Sequence, residues 1–140
     1  MDYAQVQDKY RALRYFSSIV DYVGWATSTS HVFTNSLFNS MVMMIPGVLG
    51  GPFINRYSLR RAFGDPLVDE SLESKRLNEY FFRQAGRNGA TAVLAVSVKE
   101  LLEKPSLEVG LLTVASTGVA IAFHMARTRS RRDLIDILEE

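Results

Sequence analysis

Apolar positions along this chain follow three patterns. From Tyr3 to Val23 they recur every three or four residues, at Tyr3, Val6, Tyr10, Leu13, Phe16, Val20 and Val23, with Asp8, Lys9, Arg11, Arg14, Ser17 and Asp21 mostly between them. That period predicts an amphipathic helix over 1–25. From Tyr22 to Asn55 the pattern changes: no Asp, Glu, Lys or Arg occurs, and Val32 to Ile54 is mainly Val, Phe, Leu, Met, Ile and Gly. A second uncharged run extends from Val109 to Ala126, and a shorter one, Asn88 to Val98, lies between Arg87 and Lys99.

Read as helices, Val32 to Ile54, Val109 to Ala126 and Asn88 to Val98 reach about 35, 27 and 16 Å, against a bilayer core of roughly 30 Å. The shortest crosses only if Arg87 and Lys99 snorkel toward the two interfaces and Leu101 and Leu102 extend it. It also fits a core helix of a water-soluble bundle, which reads as an apolar run of similar length. The distribution of Lys and Arg favours crossing. Three spans place five basic residues on one side and eleven on the other, whereas two spans divide them seven against nine. Cytoplasmic-type loops carry the excess of positive charge, so three spans are expected.

The expected fold is therefore all-α: a small integral membrane protein of about three transmembrane helices, forming one unit over 1–140. Its parts are the amphipathic helix at 1–25, a first span at 31–54, a loop helix at 65–86, a second span at 87–103, a third at 107–126, and a basic, amphipathic tail at 127–140. Asp65 and Pro66 supply a cap and a first helical position for the loop helix. At Glu103–Ser106, Pro105 holds Lys104 extended and starts the next helix.

Small residues refine this layout, because close helix contact in lipid depends on side chains that let backbones approach. Gly118, Ala122 and Ala126 recur at four-residue spacing in the last span, and Gly89 follows Ala85 at the same spacing. Together they predict a tight hairpin of the last two spans. The stretch MMIPGVLGGPFINRY, from Met43, places a kink at Pro46, a close-contact surface at Gly47 and Gly51, and the end of the regular helix at Gly51–Pro52. The helix-packing set is Pro46, Gly47, Gly51, Gly89, Gly118 and Ala122. Arg56, Arg60, Arg61, Arg127, Arg129, Arg131 and Arg132 stop the two long runs and are read as topology and lipid-headgroup residues.

Composition adds mostly exclusions. The chain has no Cys, which removes disulfides, thiolate metal sites and thiol nucleophiles. No zinc-protease, nucleophile-elbow, phosphate-loop or dinucleotide pattern occurs. The two histidines, His31 and His124, could ligate a haem only if they shared a membrane face, which three spans forbid. The start of the chain lacks a secretory signal, and Asp2 and Asp8 count against an acid-poor transit peptide. The Arg-rich tail is balanced by acids and has no interleaved aromatics for nucleic acid.

The expected role is a non-catalytic accessory subunit of a large membrane protein complex, acting by helix packing and by lipid and subunit contacts. In size and layout the chain is similar to the small supernumerary subunits of organellar respiratory-chain or ATP-synthase assemblies, without a shared motif. The alternative is a component of a small oligomeric transporter, channel or translocase using the kinked first span. Expected partners are other subunits and anionic lipids, with no nucleic acid, no small-molecule substrate and no cofactor beyond a bound phospholipid such as cardiolipin. The expected location is the mitochondrial inner membrane, or otherwise another organellar or bacterial membrane.

Overall fold

The computed structural model of the 140-residue chain describes residues 7–9, 11–30, 32, 37–63 and 72–139. A turn of π-helix, Ala12–Phe16, leads into helix α1, Ser17–Ser30. It is followed by α2, Leu37–Phe63, α3, Leu72–Glu103, and α4, Leu107–Glu139. The Asp65–Pro66 helix start and His31 lie outside the described residues.

The described residues form an all-α bundle of four helices with one candidate membrane span, and the three-span expectation is overturned. Among the described residues only α4 is long and apolar enough to cross a membrane, within Leu107–Ile137, where an 18-residue window has a mean hydropathy of 1.7. The segments read as loop helix and second span are one continuous helix, α3, of 32 residues and about 48 Å. Its middle buries Arg87 rather than lifting it to an interface. The multi-span mitochondrial-membrane assignment loses its basis with the spans and their loops.

Helix α2 also differs from expectation, because it does not end at Gly51–Pro52 but continues to Phe63 with Pro46 and Pro52 inside it. A proline ring clashes with the Cβ of the residue before it in helical geometry. Gly51 has no Cβ, which removes that clash at Pro52. Its bare backbone also receives α1: a Cβ on Gly24 would lie 3.1 Å from Gly51 Cα, so the two helices touch backbone to backbone.

Packing is most extensive between α3 and α4, which run antiparallel from the turn at Lys104–Ser106. Ser106 caps α4, its Oγ accepting the Val109 N–H at 3.2 Å. Pro105 thus stands just before the cap and not at the first helical position. On α3 Gly86 admits the Phe123 ring: a Cβ there would fall 2.6 Å from Phe123 Cδ1 and 2.8 Å from Cζ. Helices α1 and α2 form a second antiparallel pair, and α2 in turn packs antiparallel on α3. The helix interior carries an apolar cluster of Val32 and Ala92 with Val48, Ala95 and Val96 at one end.

Burial is distributed against the usual rule. Arg87, Gln84, Asn55, Asn88 and Ser17 are among the largest fully buried side chains, while Phe53, Phe82, Val114, Tyr22 and Leu111 are exposed. Charged and amide side chains are almost never fully buried unless they are paired. The partners of these groups define the centre of the molecule.

Candidate functional site: a buried arginine–aspartate cluster

Asp21 lies one turn into α1 and is the single acid between Asp8 and Asp65. Two guanidinium groups converge on it. Arg87 of α3 donates through Nη2 to Oδ1 at 2.5 Å and through Nη1 to Oδ2 at 3.1 Å, a bidentate fork. Arg127 of α4 places Nη2 at 2.5 Å from Oδ2. All three side chains are nearly sealed from solvent, at 6% exposure or less for Asp21 and Arg87 and 9% for Arg127. Bidentate, charge-assisted bonds of this kind are about twice as strong as neutral ones and fix orientation as well as distance.

Aromatic rings close the cluster on both sides. The Arg87 guanidinium sits over the Trp25 ring at 4.7 Å, and Arg127 over Tyr80 at 5.6 Å. Both rings are themselves tethered: Trp25 Nε1 donates to Thr91 Oγ1 at 2.9 Å, and Tyr80 Oη shares a 2.9 Å bond with Ser17 Oγ. Arg87 also donates to Asn88 Oδ1 at 3.0 Å. A layer further along, Asn55 Nδ2 of α2 donates to Gln84 Oε1 at 3.2 Å and to the Ser17 carbonyl at 3.4 Å. Every helix therefore contributes at least one polar side chain to a continuous network.

The cluster works as a clamp. Both Asp21 oxygens accept from guanidinium groups, Oδ1 from Arg87 and Oδ2 from Arg87 and Arg127. Two cations face one anion, and Nε of Arg87 and of Arg127 has no hydrogen-bond partner among the described residues. Removing ions from water costs several kcal/mol each, and a buried pair returns this only with good geometry. The clamp's contribution is thus register: Arg87 and Arg127 reach Asp21 at a single mutual setting of α1, α3 and α4. Among the described residues no group of three or more His, Asp or Glu is placed to hold a metal ion.

The residues singled out in the sequence separate into different environments. Gly51 and buried Gly47 form the α1 crossing, and a Cβ on Gly89 would meet Val48 at 3.8 Å. Pro46, Gly118 and Ala122 are exposed, and no atom lies within 4 Å of a Cβ built on Gly118. Of the arginines, Arg127 is inside the clamp, while Arg131 donates to Ser18 Oγ at 2.6 Å and the Arg14 carbonyl at 3.0 Å. Arg129 and Arg132 are exposed, Arg56 is half-buried, and Arg60 and Arg61 lie on the last turns of α2, their side chains outside the described residues. His124 stacks on Trp25 with ring centroids 6.0 Å apart.

Asp21, Arg87 and Tyr80 escape a reading that searches for uncharged runs. A seam does point to them: Ser116, Ala120, Phe123, Arg127, Ser130 and Leu134 alternate three- and four-residue steps, the spacing of a coiled-coil interface. An arginine at such a position calls for a buried hydrogen-bond acceptor on a neighbouring helix. No protein-family model, no characterised protein and no solved structure matches this chain.

Proposed function

We propose that the protein is a non-catalytic accessory subunit of a membrane-associated assembly, a pre-organised four-helix unit that offers an apolar exterior to its neighbours. The observation that carries this is the inverted distribution of side chains. A polar clamp holds the helices to one another, and large apolar side chains on every helix face outward. Contiguous exposed apolar surface beyond a few hundred Å² marks a protein or membrane contact. Helix α4 is the clearest case: only 11% of its apolar window is buried inside the chain, and among the described residues it is the one helix long and apolar enough to cross a membrane.

The transporter alternative gains nothing from α2. Its Gly47 and Gly51 surface receives Gly24 of α1, which supports the packing reading of this stretch. The test is purification of the full chain from its native host in a mild detergent. The expected result is elution with stoichiometric partner subunits at high mass, and aggregation of the isolated chain on detergent removal. A monodisperse, fully helical monomer in detergent-free buffer would overturn the proposal.

A further inference from the structure

Helices α2 and α4 stand apart on the outer side of α3 and leave between them an open groove of about 1130 Å³. The antiparallel pairing of these helices sorts its lining along the length. Asn55 of α2 meets Gln84 of α3, and Phe123 of α4 meets Gly86, so Arg56, Asn78, Glu79 and Arg83 gather toward one end. Leu49, Gly50 and Phe123 lie toward the other, with Phe53 and Phe82 on the walls. One end is charged and the remainder is apolar.

The charges at that end do not cancel. Glu79 is matched by Arg76 at 3.3 Å and by Arg83 at 3.9 Å. Arg83 also donates to Ser130 and to the Ala126 carbonyl. Arg56 is half-buried on the groove and has no ion pair among the described residues. We propose that this groove binds one anionic phospholipid, its phosphate on Arg56 and its acyl chains along Leu49, Phe53, Phe82 and Phe123. The groove is open along its side, so a flexible ligand can lie along it without being enclosed. A single cation beside a long apolar lining matches a head-and-tail molecule. The site needs no partner protein and stands apart from the subunit role.

The experiment is native mass spectrometry of the full chain in a non-ionic detergent, with phosphatidylglycerol or phosphatidylcholine of equal chain length added. One phosphatidylglycerol per chain is expected, bound about tenfold more tightly than phosphatidylcholine, the size of one charge-assisted contact. Arg56→Gln abolishes the preference and Arg56→Lys keeps most of it. Phe82→Ser weakens both lipids. Arg132→Gln, on the exposed end of α4, changes neither. Equal retention of the two lipids by the wild-type chain overturns the proposal. So does an equal loss of preference in Arg132→Gln, which places the lipid on the C-terminal arginines, or a lipid-free dimer, which makes a second copy the occupant.

Discussion

At the scale of single residues, Asp21 decides how three helices sit. Asp21→Asn removes the one negative charge between Arg87 and Arg127 while keeping the side-chain shape, leaving two buried cations uncompensated. Breaking a buried pair in this way costs about 3–5 kcal/mol, measured as the shift in a chemical denaturation curve. Arg127→Met added to Asp21→Asn removes one of the orphaned charges and is expected to recover part of the loss. A purely additive double variant, within about 0.5 kcal/mol, would show that Asp21 and Arg127 are not coupled. Gly86 is the second sensitive position. Gly86→Ala drives a methyl group into Phe123, with an expected loss of about 1–3 kcal/mol from overpacking. Phe123→Leu in the same chain makes room for it, and failure of that pair to recover stability would rule out the ring as the cause.

At the scale of elements, much of the helix content was open to reading, and the direction of the faces was not. Within the described residues, the 3.6-residue period from Ser17, the uncharged runs from Leu37 and from Asn88, and the Pro105 turn all fall on or between helices of the fold. The period does not say which side of a helix is inside. On α1 the period assigns Ser17 and Asp21 to the outward face, but they are buried at 0% and 4% exposure while Ile19, Tyr22 and Val23 face out. A hydrophobic pattern assigns the apolar stripe to the interior only when the surroundings are water. The same inversion hides the clamp, since in the sequence Arg87 and Arg127 stand at the edges of apolar runs. Nor does the Gly51–Pro52 pair stop α2, which continues through both Pro46 and Pro52 to Phe63. Gly24 offers the test at this scale. Gly24→Leu cannot be accommodated 3.1 Å from Gly51 Cα, so α1 must lift from α2. Faster amide hydrogen exchange across α1, with α4 unchanged, is the expected outcome. Uniform protection across α1 would mean that the crossing is not a close contact.

At the scale of the whole molecule, a bundle held by a polar interior has an unusual freedom: its exterior can be apolar without competing with a core for the same residues. Helix α4 separates the two roles on opposite sides. Ser116, Ala120, Arg127 and Ser130 face α1 and α3, while Leu111, Val114, Ile121 and Met125 face out. Replacing those four outward residues together by Gln tests whether the surface belongs to the fold or to its neighbours. If it belongs to neighbours, helical content by circular dichroism stays the same, because none of the four touches the clamp. The detergent requirement falls as apolar area is removed, at about 25 cal/mol per Å² taken out of water contact. Recovery of the chain in the high-mass assembly is lost. If the variant unfolds, the four side chains are part of an intramolecular core. If it folds and still enters the assembly, α4 is not the face through which the protein is held.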